Sequence, residues 1–160
     1  MDVNMDGLKI VNFNDNQAPF LFTQSLHECG FVLIEDAPVN DNLLQINYKL
    51  WQQFFKSPQK LQYQWDPKNE DGYIPPNLSE IAKGRQIKDL KEFYHLKPNG
   101  QIPSVLEKEA LELFTQLSDC GELFLSWIEA SLPTSIKAKL SEPLKDMIKG
   151  SNNTVLRSIH

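Results

Sequence analysis

Histidine and cysteine, which often bind transition metals in proteins, are scarce in this sequence. There are three histidines, His27, His95 and His160, and two cysteines, Cys29 and Cys120. No histidine is followed two residues later by Asp or Glu, so the His-x-Asp element of a two-histidine, one-carboxylate iron site is missing. The absence of a Cys-x-x-Cys pair excludes a zinc ribbon. We therefore predict that the chain supplies no catalytic residue and no metal ligand.

Glycine-rich loops and long apolar runs are missing as well. The 7 glycines are isolated, so we expect no phosphate-binding loop and no Gly-x-Ser-x-Gly nucleophile turn. The longest clear apolar run, residues 31–34, is far too short for a signal peptide or a membrane span. We therefore expect a cytoplasmic protein with no membrane partner, in which both cysteines are reduced and buried.

The sequence also lacks an excess of positive charge. It has 16 Lys and Arg residues against 21 Asp and Glu residues, a formal net charge of −5. The nearest basic cluster lies within residues 83–91. Asp89 falls inside it and Glu80 and Glu92 lie on either side, and such a mixture of charges is typical of a solvated surface. Nucleic acid is therefore not an expected partner, because phosphate neutralisation needs clustered Lys and Arg. The length of 160 residues predicts one globular domain.

The first third of the chain predicts alternating strands and helices. Residues 8–13 read as a short strand, residues 18–29 as a helix, and Gly30 as the left-handed residue that ends it. Residues 31–35 are apolar on both faces, which predicts a strand covered on both sides. A second helix begins after Asn40 and ends at Ser57-Pro58, with apolar residues at three- and four-residue steps.

The rest of the chain predicts a long loop, a long helix and two strands. Four prolines and glycines within residues 66–76 indicate a loop, and residues 91–96 read as a strand. A 4-3-4-3 apolar pattern predicts a helix from about residue 106 to Pro133, followed by a short helix near 141–149. Residues 153–159 read as a strand. Because the sequence stops there without a polar tail, we expect a truncated chain.

Six short motifs, in the same order, resemble those of isopenicillin N synthase-like oxygenases. They are Lys9–Asp15, Cys29–Asp36, Phe54–Lys60, Gly72-Tyr73, Asp89–Phe93 and Leu156–His160. In the resembled family these correspond to an opening strand, a Cys-Gly-Phe strand with its turn, a Phe-Phe helix end, a Gly-Tyr loop, an Asp-x-Lys-Glu segment and the approach to a Leu-Arg-x-x-x-Tyr-Pro strand. The resemblance covers essentially the whole chain.

This resemblance implies an α+β fold, a helix-rich N-terminal region carrying strands of an incomplete double-stranded β-helix, or jelly roll. Residues 1–160 would form the N-terminal region of an iron(II)/2-oxoglutarate-dependent oxygenase acting on a small molecule, without the iron-binding half of the barrel. In the family the iron ligands and the arginine that holds 2-oxoglutarate lie beyond the last residue of this sequence. The parent protein would therefore need iron(II) and 2-oxoglutarate, whereas this chain alone would bind neither and be inactive. Some family members use no 2-oxoglutarate, which leaves that cosubstrate open.

The resemblance suggests two substrate-binding residues. Tyr73 offers a ring and a hydroxyl at the border of the family's substrate pocket, and Arg85 could steer a substrate carboxylate. A surface-packed tyrosine and a solvated arginine remain alternatives. A different kind of function also stays open, a non-catalytic helical interaction module derived from a degenerate oxygenase. Its partner, or else the missing barrel half, would dock on the apolar faces of the two long helices.

Overall fold

The computed structural model describes residues 8–78, 84 and 90–160, and within them the fold mixes helices and strands. The predicted mixture of α and β elements is confirmed. The chain forms two compact units, one from Met1–Val39 with Thr115–Ser151, the other from Asn40–Phe114 with Asn152–His160. No helix in the described part of the chain is long and apolar enough to cross a membrane.

The first unit contains a two-stranded parallel sheet. Strand β1 (Ile10–Asn12) pairs with β2 (Leu33–Glu35), with Ile10 opposite Leu33, and helix α1 (Ala18–Cys29) connects them. The helix ends, as predicted, at Gly30, whose φ of 80° is a conformation that glycine adopts without steric penalty. Val11 is fully buried on the inner face of the sheet.

The prediction that β2 is covered on both faces is wrong. Leu33 is 51% exposed, and Phe31, just before the strand, is 73% exposed. A two-stranded sheet beside one layer of helix has only one covered face, and the apolar composition of the segment could not reveal how many layers would pack on it. Cys29, expected to be buried, is likewise only half-buried, whereas Cys120 is buried.

Helix α3 (Glu107–Ser131) is the longest element, and its residues from Thr115 onward belong to the first unit. There the ring of Phe22 stacks on that of Phe124 at 4.9 Å and meets the edge of Trp127 at 5.5 Å. A short helix, α4 (Thr134–Lys137), follows Pro133. The predicted helix at 141–149 is wrong, since the segment forms only turns. Pro143 lacks an N–H and disfavours a helical conformation at the residue before it.

The second unit begins with helix α2 (Asp41–Lys56), which starts where Asn40 predicted. The side-chain oxygen of Asn40 accepts the N–H of Leu43 at 2.9 Å, which satisfies one free donor of the first turn. The apolar stripe of the helix is buried in the core of this unit, with Trp51 6% and Phe54 3% exposed. A 3₁₀ turn, Pro58–Gln62, continues the chain.

A three-stranded antiparallel sheet completes the second unit. Its strands are β3 (Gly72–Ile74), β4 (Phe93–Leu96) and β5 (Leu156–Ile159), in the order β3-β4-β5. The prediction of a loop throughout residues 66–76 is wrong, because β3 lies inside that segment. The prolines of this segment lie outside the strand, so their missing N–H groups do not interrupt its hydrogen bonds. Gly72 has a φ of 100°, and a Cβ at this position would lie only 2.7 Å from the backbone oxygen of Gln64.

The two faces of this sheet differ sharply in chemistry. Tyr73, Tyr94 and Leu96 point to the aromatic core of the unit, where the rings of Tyr94 and Trp51 lie 5.2 Å apart. Residues one position earlier or later along each strand point the opposite way, because side chains alternate across a strand. The candidate functional site lies on that opposite face.

Candidate functional site

A cleft of about 460 Å³ lies on the outer face of the β3-β4-β5 sheet, within the range of ligand pockets. Its apolar lining comes from β3, β4 and the flanking segments, and consists of Trp65, Ile74, Leu78, Phe93 and Val155. Phe93 is 8% exposed and Leu78 59% exposed. The cleft therefore has a closed apolar floor at the centre of the sheet and an open rim.

The polar lining of the cleft is mainly cationic. It consists of Lys91, Lys97 and Arg157 with Glu70, His95 and Asn153. Lys97 forms an ion pair with Glu70 at 3.7 Å. Among the described lining residues there are thus three cations and one carboxylate, in a chain whose formal net charge is −5. The cleft reverses the sign of charge that the whole sequence carries.

Arg157 is held in position by its neighbours on β4. It lies directly opposite His95 in the register of the sheet, and its Nε donates a hydrogen bond to Nε2 of His95 at 2.8 Å. The guanidinium carbon lies 5.1 Å from the centre of the Phe93 ring, a cation–π arrangement. These two contacts orient the guanidinium, and its Nη groups keep four further N–H donors.

The environment of His95 disfavours the protonated form of its ring. Burial lowers the pKa of His95, and the positive charge of Arg157 lowers it further, while a backbone hydrogen bond to Glu70 acts in the opposite direction. A neutral ring whose Nε2 accepts from Arg157 carries its proton on Nδ1. The rings of His95 and Trp65 are nearly perpendicular, with ring centres 5.4 Å apart. His95 is therefore suited to supporting Arg157.

Tyr73 lies on the face of the sheet opposite the cleft. It is 3% exposed, and its hydroxyl donates a hydrogen bond to the Glu92 carboxylate. Its neighbour Ile74 is the residue of β3 that lines the cleft. The structure thus places the Gly72-Tyr73 segment beside the cleft but turns Tyr73 away from it. The other predicted site residue, Arg85, lies outside the described residues.

Glu92 is the centre of a polar cluster on the core face. Its carboxylate accepts hydrogen bonds from Lys60 Nζ at 2.7 Å, from Tyr73 and from His160 Nδ1 at 3.0 Å. Burial alone would raise the pKa of Glu92, but the hydrogen bonds from Lys60, Tyr73 and His160 outweigh it and the pKa is lowered. The cluster ties the 3₁₀ turn to all three strands, which is a structural role.

The described residues do not fit an iron site. Within residues 8–78, 84 and 90–160, no three His, Cys, Asp or Glu side chains are grouped so that they could hold a metal ion. The Nε2 of His95 accepts from Arg157, and Nδ1 of His160 is bonded to Glu92. His27 lies on α1 in the other unit, and among the described residues it belongs to no such group.

Sequence reasoning missed Arg157 and His95 as parts of one site. The signal was present as two alternating patterns, Lys91-x-Phe93-x-His95-x-Lys97 on β4 and Asn153-x-Val155-x-Arg157 leading into β5. Alternation assigns the members of each pattern to one face of a strand. The pairing of β4 with β5, which brings the two patterns together, was not evident from either segment alone.

Comparison with known proteins identifies the family. Residues 16–115 match the model of a family described as non-haem dioxygenase in morphine synthesis N-terminal. The match covers most of the chain, which belongs to this non-haem dioxygenase N-terminal family. The resemblance drawn from the six sequence motifs is thereby confirmed. A search of curated proteins gave no significant match.

Solved structures show the same relationship. A Shewanella oneidensis protein, provisionally described as an oxygenase, is 32% identical with a TM-score of 0.84 over 94% of this chain and 53% of its own. A full-length Neurospora crassa protein in complex with alpha-KG shares the fold, at 19% identity and a TM-score of 0.65 over 79% of this chain and 48% of its own. With 5-formyluracil also bound, its TM-score is 0.67 at 17% identity, over 98% of this chain and 53% of its own. The chain spans about half the length of these relatives.

Proposed function

We propose that this chain is the N-terminal part of an iron(II)/2-oxoglutarate-dependent oxygenase that oxidises a small molecule, and that the cleft on the β3-β4-β5 sheet is one wall of its substrate pocket. The observation that carries the proposal is the cleft itself, a cationic and apolar depression on one face of the sheet. Family membership supports the reaction class. The alpha-KG bound to the Neurospora crassa relative supports 2-oxoglutarate as the cosubstrate.

The three strands would be the first strands of a double-stranded β-helix in this proposal. Strand β5 pairs with β4 along one edge, and among the described strands it has no partner on the other. An unpaired edge carries free backbone N–H and C=O groups that another strand could satisfy. The 32% identical relative is about twice as long as the matched region, which leaves room for such strands.

The iron ligands belong, in this proposal, to a part of the longer protein that this sequence does not contain. Iron would supply the activation of oxygen, whereas the residues of this chain would bind the substrate and exclude water from one side of the pocket. The chain on its own is therefore proposed to be inactive.

The reading frame downstream of His160 tests this proposal. A continuation with Tyr-Pro followed by a His-x-Asp or His-x-Glu motif is the expected result, and a stop codon would contradict it. As a second test, the 160-residue polypeptide supplied with iron(II), ascorbate and 2-oxoglutarate should form no succinate, while the longer protein should form it. Turnover by the 160-residue polypeptide would refute the proposed division of labour.

The alternative of a helical interaction module finds less support. It requires the apolar faces of the two long helices to be available to a partner. On α2, Trp51, Phe54 and Phe55 are buried in the core of their own unit, and on α3, Leu113 and Cys120 are buried as well. These apolar residues are used in folding, so we favour the oxygenase.

A further inference from the structure

We propose that the cleft selects an organic carboxylate with an apolar, ring-sized body, and that Arg157 is the residue that binds the carboxylate. That this ligand is the substrate rests on the proposed oxygenase function. That the cleft binds such a ligand depends on the residues of this chain alone. The argument uses the position of Arg157, the charge around it and the apolar floor beside it.

The first observation is that Arg157 is positioned but not neutralised. Its contacts are the imidazole of His95 at 2.8 Å and the ring of Phe93 at 5.1 Å, and within the described part of the chain it has no carboxylate partner. Its side chain is exposed. An arginine with two orienting contacts has lost part of its rotamer freedom before a ligand arrives.

The chemistry of the guanidinium group selects the ligand. With Nε engaged by His95, the outer edge formed by Nη1 and Nη2 remains, and these two groups present parallel N–H donors. Two parallel donors match the two oxygens of a carboxylate, and such charge-assisted bidentate bonds are roughly twice as strong as neutral ones. The lowered pKa of His95 is consistent with this arrangement, because a protonated ring could not accept from Arg157.

The surrounding groups favour an anion over a cation. Lys97 also lines the cleft, and Glu70, the one carboxylate in the lining among the described residues, is already paired with it at 3.7 Å. A cationic ligand would be repelled by the guanidinium of Arg157, which has no carboxylate partner in the described part of the chain, whereas an anion would be attracted to it.

The apolar part of the cleft accounts for the body of the ligand. Trp65, Ile74, Phe93 and Val155 form its walls and floor, next to the guanidinium of Arg157. A volume of about 460 Å³ admits a ring-containing molecule and not only a small ion. Burial of the ring would add affinity that a small aliphatic diacid such as 2-oxoglutarate could not obtain there.

Titration calorimetry on the 160-residue chain tests the inference with matched probes. Indole-3-carboxylate is expected to bind at least about tenfold more tightly than neutral indole-3-carboxamide, and more tightly than 2-oxoglutarate. In Arg157→Gln the preference for the carboxylate over the carboxamide should fall to about one, and Arg157→Lys should restore part of it, because it keeps the charge without the paired donors. Lys49→Gln, at an exposed position of helix α2 that does not line the cleft, is the control and should bind as the unmodified chain does.

Three outcomes would overturn the inference. They are equal affinity for the carboxylate and the carboxamide in the unmodified chain, an unchanged preference in folded Arg157→Gln, and binding of 2-oxoglutarate as tight as that of the aromatic acid. The first and third need no variant, so they hold even if Arg157→Gln fails to fold. None depends on turnover, so a negative result leaves the oxygenase proposal to its own test.

Discussion

Replacement of Glu92 by Gln should destabilise the second unit more than any comparable surface substitution. The Glu92 side chain is 12% exposed, and its carboxylate accepts hydrogen bonds from Lys60, Tyr73 and His160. Glutamine keeps the shape of the side chain but removes the charge, which leaves the ammonium of Lys60, whose side chain is 22% exposed, without its anion. A hydrogen bond to a charged group contributes about 1.5–3 kcal/mol to stability and a neutral one about 0.5–1.5 kcal/mol. The contributions of bonds within one network do not simply add.

From these values we expect Glu92→Gln to lower the free energy of unfolding by about 2 kcal/mol at pH 7, a figure that allows for the partial exposure of Lys60. Urea denaturation followed by tryptophan fluorescence and by circular dichroism measures this loss, and coincident curves would justify a two-state treatment. Glu112→Gln, at an exposed position of helix α3, is the matched control and should change the free energy by less than about 0.5 kcal/mol.

The pH dependence gives an independent check. Because the pKa of Glu92 is lowered on folding, its contribution is fully present above the ordinary carboxyl pKa and disappears as pH falls through the lowered folded value. The difference between the unmodified chain and Glu92→Gln should therefore shrink in acid. At high pH the raised pKa values of Lys60 and Tyr73 act in the other direction, since their contributions are lost as pH rises through the folded values.

A double-mutant cycle with Tyr73→Phe locates the effect. Phenylalanine retains the ring and removes only the hydroxyl that donates to Glu92. We expect a coupling energy of about 1 kcal/mol between the two positions. The reasoning would be refuted by a Glu92→Gln variant as stable as the Glu112→Gln control, with an unchanged acid limb and no coupling to Tyr73.

Three further predictions concern the backbone at two glycines, the N-cap of helix α2 and the reactivity of the two cysteine thiols. Gly100→Ala should lower the free energy of unfolding by about 2 kcal/mol or more, because the added Cβ would overlap a buried carboxylate. Gly121→Ala in helix α3 should raise it by about 0.5–1 kcal/mol, because the nearest atom to the added Cβ would lie 3.6 Å away. Urea titrations that give the two variants equal stability would contradict this. Asn40→Ala should lose about 1 kcal/mol with the cap of α2, measured in the same way. Burial raises the pKa of the Cys120 thiol, and the charge of Asp119 raises it further, so less of the reactive thiolate is present. A disulfide reagent at pH 8 should therefore label the half-buried Cys29 before the buried Cys120. Equal labelling rates would refute this.

The candidate site could be anticipated only in part. The motif Gly72-Tyr73 directed attention to a strand that does line the cleft. The side chain of Tyr73 itself faces the core, and the substrate contact predicted for it remains a prediction. The face that a strand residue occupies depends on register, and one residue of shift exchanges the two faces. The loop prediction for the same segment failed because prolines and glycine signal irregular backbone without showing where a partner strand can still pair.

The sequence by itself determined the features that depend on neighbours within a turn or two. The cap at Asn40, the end of α1 at Gly30 and the apolar stripes of α2 and α3 follow from local hydrogen bonding, glycine conformation and helical periodicity. Only the tertiary structure decided that Arg157 meets His95, which is 62 residues away along the chain, and that both face a cleft. That contact exists because β5 pairs with β4, and strand pairing between distant segments depends on the packing of the whole unit.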